Sequence, residues 1–425
     1  KYKYMVTGTG RLEGSSRFGE NFRYGFFPSA SLAWRITNED FMQDQTLFSE
    51  LKPRVSYGIT GNQEGIGNFA SRGLFGVGDY RATPTIVPAQ LSNANLSWES
   101  TRQFDVGLDV GMLNDRITFS ADYFVKTTDD LLLNRLVPGV SGFSSVTDNI
   151  GKMENKGFEF AIRGAILSGR ELTWSSGFNI SFIENTVLEL EVDDQVLNDS
   201  HILSEGESIG TFYLIDHNGV DPQTGNMRWI DVNDDGVIDS GDRRIVGNAQ
   251  PDFFGGFNNS FAYKGFDLNV LFQFTVGNEI FNHSRASYEN LGWSRIGTGF
   301  PLPDGNNHQL ADDRWMEPGD QTDIPRASLT NINWREYSSR WLEDGSYLRL
   351  KTLTLGYNFS PDLTQRLGMS NLRLYMQGQN LLTFTDYTGL DPEVNQNARN
   401  ALVAGSDFGT HPQVRTISFG VNLEF

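Results

Sequence analysis

Apolar and polar residues alternate with a period of two along several segments of about ten residues. Between 103 and 112 every even position is apolar, and every odd position is Gln, Asp or Gly. The same alternation recurs at 117–126, 158–166, 172–182, 266–276, 372–382 and 414–425. Successive side chains of a β-strand point to opposite faces, so each segment predicts a strand with one apolar and one polar face.

The alternation slips by one residue near Lys351 and Thr352, inside the strand-like segment 348–359. An extra residue in one strand of an antiparallel pair moves the following side chains to the opposite face. The slip therefore predicts a β-bulge at this point.

The connections between segments decide whether the apolar faces meet a second sheet or lipid. Short and long connections alternate along the chain. The short ones are tight turns at 113–116, 168–170 and 264–265 and moderate connections at 37–50 and 360–370. The long ones lie at about 61–98, 127–153, 185–253, 278–346 and 383–413. Structureless loops beyond ~15 residues are uncommon in soluble domains. Outer-membrane barrels combine short periplasmic turns with long extracellular loops. We predict an all-β fold: about twelve strands of a transmembrane antiparallel β-barrel, with both chain ends on the periplasmic side.

Composition excludes other classes of protein. The chain has no cysteine, which excludes disulfides and thiolate metal sites. Its net charge is −19, whereas nucleic-acid binding needs a basic surface, so no nucleic acid is expected as a partner. The acidity has two interpretations, a solvated surface or loops that bind cations. The sequence contains no run of about 18 apolar residues, so it predicts no transmembrane helix.

The chain begins at Lys1 within a strand-like pattern, without an initiator Met or a signal peptide. We therefore expect residues 1–425 to be the C-terminal portion of a longer barrel protein. Phe425 ends the last predicted strand, and a terminal aromatic residue is similar to the signal that directs outer-membrane barrels to their insertion machinery.

Several local strings, in this order along the chain, resemble the SusC/RagA family of TonB-dependent transporters of Bacteroidota. They are GSSRFG at 14–19, FPSASLAWRI at 27–36, LKPRVSYG at 51–58, GNQ at 61–63, LSWE at 96–99, NIG at 149–151, NKGFE at 155–159, DVNDDG at 231–236, GNAQPDF at 247–253 and RTISFG at 415–420.

The resemblance implies a barrel of about 22 strands with a plugged lumen, in the outer membrane of a Gram-negative bacterium. It implies that the plug and the first strands precede this chain and that TonB acts through that preceding region. It also implies a SusD-like surface lipoprotein over the loops, and membrane lipid and lipopolysaccharide around the barrel. The expected function is active import of an oligosaccharide or a peptide, without catalysis. A passive porin or structural barrel, and an outer-membrane barrel enzyme, are the alternatives.

One loop segment follows the spacing of a calcium-binding loop. Oxygen donors stand at the first, third and fifth positions, glycine at the sixth, a backbone carbonyl at the seventh and a carboxylate at the twelfth. The predicted ligands are Asp231, Asn233, Asp235, Val237 and Asp242. Asp242 departs from the Glu of an EF-hand, as in dockerin-like loops. The alternative is a metal-free loop of Asx-turns.

Aromatic residues in the long loops are candidates for contact with a ligand or a partner protein, because aromatic faces stack on sugars and grip peptides. They are Trp229, Tyr288, Trp293, Trp315, Trp334 and Trp341. Packing between loops is the alternative. The five histidines also fall in predicted loops and are expected to be solvated: His201, His217, His283, His308 and His411.

Overall fold

The computed structural model describes residues 2–191, 194–289, 312–328, 331–398 and 400–425. In this part of the chain, twelve antiparallel strands form one large sheet in which each strand pairs with the next. They are β1 Tyr4–Gly14, β2 Tyr24–Trp34, β3 Phe48–Asn62, β4 Glu99–Met112, β5 Ile117–Asp129, β6 Lys152–Ser168, β7 Leu172–Glu189, β8 Phe253–Tyr263, β9 Phe266–Val276, β10 Tyr347–Asn358, β11 Asn371–Thr385 and β12 Thr416–Glu424. The predicted number of about twelve antiparallel strands is confirmed.

The connections carry small elements of their own. Short strands cover Leu74–Tyr80, Thr83–Gln90, Leu132–Leu136, Ser145–Asn149, Gln195–Val196, His201–Leu203, Thr211–Ile215, His217–Val220, Met227–Trp229, Arg243–Asn248, Glu279–Asn282, Leu342–Asp344 and Ser406–Asp407. The α-helices are α1 His283–Tyr288 and α2 Pro361–Arg366. Single 3-10 turns cover Glu20–Phe22, Ile36–Asn38, Asp40–Met42, Gly139–Ser141, Ser240–Asp242, Asn331–Asn333, Ser339–Trp341 and Ala401–Val403. Within the described ranges, neither helix has the length and hydropathy to cross a bilayer.

The apolar face of the sheet is exposed. Phe158 in β6 is 50% exposed and Phe419 in β12 is 79% exposed. A soluble sandwich would bury both side chains against its second sheet. The exposed face is therefore the one that a barrel turns to lipid, as the alternation predicts.

The opposite face carries ion pairs that cross a glycine of the intervening strand. Arg54 in β3 reaches Asp122 in β5 over Gly107 in β4, with Nη2 to Oδ2 at 2.6 Å. A Cβ at Gly107 would lie only 2.6 Å from the Arg54 guanidinium carbon. A side chain at this position would displace the ion pair, so only glycine leaves enough space for it.

The same arrangement recurs further round the sheet. Arg373 in β11, which is paired with Asn358 of β10, reaches diagonally over Gly356 of β10 to Asp267 in β9 at 2.6 Å. Each glycine leaves the space in which two charges from non-adjacent strands meet. Such pairs hold three strands in one register on the polar face, where a charge does not meet hydrocarbon.

The predicted β-bulge lies in β10, where the register with both neighbouring strands shifts between Leu350 and Thr352. Its consequence is chemical as well as geometric. Arg349 faces the polar side of the sheet, opposite Gln273 of β9. The extra residue, Lys351, also reaches that side, since its ammonium lies 3.1 Å from Glu393. The bulge thus brings two cations to neighbouring places on the luminal wall.

Candidate functional site at the long-loop end of the sheet

The described parts of three long connections, 190–252, 277–346 and 386–415, pack together at one end of the sheet. Their shared core, which we call the loop core, consists of Phe212, Leu214, Phe281, Ala286 and Trp341, all at most 1% exposed. These residues come from connections 190–252 and 277–346, and connection 386–415 joins them through the strand pair at Phe281 and Ser406. The loops therefore form one packed body instead of separate solvated segments.

His201 joins two of these connections from the inside. Its side chain is fully buried, and its Nε2 lies 2.8 Å from the Ala404 carbonyl oxygen. The expectation of a solvated histidine is wrong here, because a neutral imidazole can be buried once both ring nitrogens have partners. Ser200 Oγ, at 2.9 Å, supplies the second partner. Burial holds the pKa of His201 below its usual value.

Ser339, His217 and Asp216 also meet in this body, and they resemble a catalytic triad only in composition. His217 Nδ1 lies 2.8 Å from Ser339 Oγ, and the same hydroxyl donates to Asp216 Oδ1 at 2.5 Å. In a triad the carboxylate instead holds the histidine nitrogen that faces away from the serine. Burial lowers the pKa of His217. The serine proton is directed to the Asp216 carboxylate, which already pairs with Arg244, and not to His217. The bonds of Ser339 therefore join connection 277–346 to connection 190–252.

The third connection is fixed to the luminal wall by Arg349, which is 1% exposed. Its Nη2 lies 2.5 Å from Asp391 Oδ1, and its Nη1 pairs with Glu393. Lys351 and the Tyr347 hydroxyl, at 3.1 and 3.0 Å, also bind Glu393. We call these five residues the Arg349 hub.

Asp391 also organises its own loop. Its oxygens accept hydrogen bonds from the backbone N–H of Glu393 at 2.9 Å and of Gln413 at 2.8 Å. Burial raises its pKa, but the Arg349 guanidinium and the two N–H donors outweigh burial and hold the pKa of Asp391 below its usual value. The hub thus ties both ends of connection 386–415 to β10.

Sequence patterns did not single out the hub. Asp391 and Glu393 are two of many loop carboxylates, and Arg349 occupies an ordinary polar position of a strand. The available signal was the slip at Lys351, because bulges often reorient side chains at functional sites.

Each loop tryptophan that the structure describes donates its indole N–H to a backbone carbonyl. Trp229 donates to Ile332 at 2.7 Å, Trp315 to Pro222 at 2.9 Å, Trp334 to Ala286 at 2.8 Å and Trp341 to Arg335 at 2.8 Å. These bonds hold separate parts of the loops together, and Trp341 is buried in the loop core. Tyr288 ends α1, with its side chain outside the described residues, and Trp293 and His308 lie outside them entirely. Ligand contact through the aromatic set stays a prediction.

The predicted calcium loop folds around its own backbone. Asp231 accepts hydrogen bonds from the N–H groups of Asp235 at 3.3 Å and Gly236 at 2.8 Å. Asn233 accepts from Asp235 at 3.0 Å, and Asp235 accepts from Val237 at 2.7 Å. The bonds from Asp235 N–H to Asn233 and from Val237 N–H to Asp235 are Asx-turns, the metal-free arrangement that the sequence also allows.

Asp242, the expected twelfth ligand, is buried and accepts hydrogen bonds from the N–H groups of Asp239 and Val232, both at 2.8 Å. These two bonds hold its pKa below the usual value. Among the described residues, no group of three or more His, Cys, Asp or Glu side chains is arranged to hold a metal. The calcium site stays a prediction.

Comparison with known proteins identifies the architecture. A family model described as "TonB dependent receptor-like, beta-barrel" matches residues 1–381. The chain is 38% identical to TonB-dependent receptor P3 of Formosa agariphila, over the whole chain and 44% of that protein. It is 30% identical to TonB-dependent receptor SusC of Bacteroides thetaiotaomicron, over the whole chain and 42% of that protein. The chain thus spans less than half the length of these relatives.

Among solved structures, the chain superposes on one titled "Structure of the RagAB peptide transporter" with a TM-score of 0.87 and 28% identity, over the whole chain and 46% of that protein. The same transporter in its "open-open" state gives a TM-score of 0.84. Sheet and loops both take part in this match, since all of the chain is covered.

Proposed function

Because the chain belongs to the TonB-dependent receptor β-barrel family and lies in the outer membrane, we propose that the complete protein imports an oligosaccharide or a peptide by TonB-dependent active transport. The observation that carries this proposal is the combination of a lipid-exposed sheet face with a packed loop body fixed to the luminal wall at Arg349. In the closed barrel, a loop body fixed in this way would narrow the mouth, which suits selective capture of a cargo.

The remainder of the same barrel is the first partner that we propose. In the described part of the chain, β1 and β12 are the two ends of the sheet and do not pair with each other. An unpaired strand edge in hydrocarbon leaves backbone groups without hydrogen bonds, at several kcal/mol each. Further strands of the same protein would close the sheet, and a plug would fill its lumen. TonB would act through that region.

A SusD-like lipoprotein over the loops is the second proposed partner. The support is similarity to SusC and to one component of a transporter whose title names a two-protein assembly, RagAB. The proposal covers both cargo classes, glycan and peptide, because loops select cargo and the indole N–H groups of the described loop tryptophans bond within the loops.

An uptake assay tests the proposal. Cells that express the full-length protein and its neighbouring lipoprotein should accumulate a labelled oligosaccharide or peptide pool, and a protonophore should abolish the accumulation. A passive porin would instead equilibrate the label without proton-motive force. Retention of full uptake after deletion of TonB would refute active import.

The enzyme alternative has a direct test at its most suggestive residues. Full-length protein with Ser339→Ala and wild type should both leave lipid and peptide substrates uncleaved, because Ser339 directs its proton to Asp216 and not to a general base. Cleavage by the wild type that Ser339→Ala abolishes would overturn this assignment.

We further propose that the 231–242 loop binds calcium or a similar cation. The support is the ligand spacing together with the side-chain-to-backbone hydrogen bonds that Asp231, Asn233 and Asp235 make within this loop. The ion would rigidify connection 190–252. Calcium should slow proteolysis within 231–242 in the full-length protein, and Asp231→Asn should remove that protection. Equal proteolysis with calcium and with a chelator would exclude the site.

A further inference from the structure

A row of aromatic side chains crosses four strands at the long-loop edge of the lipid-facing band. Tyr123 of β5 pairs with Phe158 of β6, Phe158 with Phe182 of β7, and Phe182 with Phe253 of β8. The rings of Tyr123 and Phe158 lie 4.8 Å apart, and those of Phe182 and Phe253 lie 5.6 Å apart. Aromatic girdles of this kind mark the depth at which hydrocarbon gives way to lipid headgroups.

Directly beyond this row, charged side chains replace aromatic ones on the same outward face. Lys156 follows Phe158 at the next outward position of β6 and pairs with Glu184 of β7. Its Nζ lies 3.0 Å from Glu184 Oε1 and 3.9 Å from Glu154 Oε1. Both partners of the Lys156–Glu184 pair remain partly exposed. From the Phe158–Phe182 pair to the next outward pair, Lys156–Glu184, the surface therefore changes from apolar to one that carries both signs of charge.

The barrel wall is incomplete at this height. The strand β7 continues to Glu189, but its last pair with β8 is Phe182 with Phe253. Loop residues resume the pairing only at Val187, whose N–H donates to the Glu207 carbonyl at 2.8 Å. The edge of β7 between these points has no strand of the large sheet beside it.

A cavity of about 730 Å³ fills that gap. Its outward lining includes Tyr123, Phe158 and Phe182 below and Lys156 and Glu184 above, and residues 250–252 lie opposite β7. The volume falls within the ~300–1,000 Å³ typical of small-molecule sites. The apolar part of the lining continues directly into the surface that faces lipid.

We propose that this cavity is a binding site for a membrane lipid whose headgroup carries a phosphate and a primary ammonium, with phosphatidylethanolamine as the probe. The acyl chains pack against the rings of Tyr123, Phe158 and Phe182 and continue into the lipid-facing band. The phosphate meets the Lys156 ammonium, and the lipid ammonium meets the carboxylates of Glu184 and Asp252. A zwitterionic headgroup fits because the rim offers both signs of charge, whereas a purely anionic one would meet the acidic side chains. The inference rests on the outer-membrane location and not on the proposed cargo.

Native mass spectrometry of the full-length protein tests the site. The protein is exchanged into detergent with equal amounts of phosphatidylethanolamine, phosphatidylglycerol and phosphatidylcholine. We expect phosphatidylethanolamine to be retained about threefold to tenfold over the other two, the range for two partly exposed charge contacts. Phosphatidylcholine is the sharpest comparison, because its quaternary ammonium cannot donate a hydrogen bond.

Variants separate the headgroup contacts from the acyl contacts. Lys156→Gln and Glu184→Gln should each remove most of the headgroup preference. Phe158→Ala should reduce the total lipid retained. The matched control is Phe257→Ala, which removes an aromatic ring of the same lipid-facing surface, 39% exposed, outside the cavity lining. Equal retention of the three lipids by the wild type, or equal loss in Phe158→Ala and Phe257→Ala, would overturn the proposal.

A second copy of the protein is the competing occupant. Residues 1–425 contain no cysteine, so Phe158→Cys introduces a single reactive position there, and any cysteine elsewhere in the full-length protein is first replaced by serine. Disulfide-linked dimers of this variant in intact membranes would show protein instead of lipid at the cavity and would overturn the assignment. Monomers with retained phosphatidylethanolamine would support it. Uptake is measured separately, so failure of the lipid site and failure of the transport proposal are distinguishable.

Discussion

Neutralising Asp391 should release the connection 386–415 from the luminal wall. In Asp391→Asn the carboxylate that lies 2.5 Å from Arg349 Nη2 loses its charge. The two side chains are only 5% and 2% exposed, so water cannot replace the lost interaction without reorganisation. The same oxygens also accept the backbone N–H groups of Glu393 and Gln413. The substitution therefore weakens both the wall contact and the closure of the loop.

The expected magnitude follows from the burial of the pair. Removing one partner of a buried ion pair typically costs ~3–5 kcal/mol, because the other charge stays buried. Arg349 retains Glu393 as a second partner, which places the cost at the lower end, ~3 kcal/mol. Each ~1.4 kcal/mol is a factor of ten, so the opening equilibrium of the loop should rise about a hundredfold.

Amide hydrogen exchange on the full-length protein in detergent measures that equilibrium directly. The amides of Glu393 and Gln413 should exchange about a hundredfold faster in Asp391→Asn than in the wild type, as local opening exposes them. Asp386→Asn is the matched control, since Asp386 is an exposed carboxylate in the same connection. Exchange at both amides within about threefold of the wild type would refute a latch at Asp391.

Three further substitutions probe other contacts. Gly107→Ala places a methyl group 2.6 Å from the Arg54 guanidinium carbon, so urea unfolding should show a loss of ~1–3 kcal/mol; Gly8→Ala, with nothing within 4 Å, should not. Because burial lowers the pKa of His201, its contribution to loop stability is complete above the unfolded value of 6.5 and declines as the pH falls below it. Proteolysis of the loops should therefore accelerate on acidification, and His201→Gln should abolish that dependence; an unchanged dependence contradicts it. Trp341→Phe should destabilise the loop body by ~1 kcal/mol through the lost indole hydrogen bond, without changing cargo affinity in calorimetry.

The strands were predictable because lipid and water act on them residue by residue. Phe158 and Phe419 stand in alternating segments, and the structure exposes both on the apolar face. The slip at Lys351 also located the bulge in β10 correctly. Each of these predictions depends on a local pattern, which a single strand carries in its own sequence.

The loops were not predictable in the same way. His201 looks like any loop histidine in the sequence, yet it is buried against Ala404, about two hundred residues away. Arg349 likewise acquires its role only from Asp391, a carboxylate in the next but one connection of the fold. Partners at such separation leave no periodic signal, because the chain between them follows no repeating geometry.

The sequence by itself determined the alternation within the strands, their number and the side of each strand that meets lipid. Those properties follow from the cost of placing polar groups in hydrocarbon, which every strand obeys independently. The tertiary structure alone decided which loop charges meet Arg349, which tryptophans join the loop body and where the wall opens beside β7. These features depend on contacts between distant segments, which exist only once the sheet has brought the loops to one end.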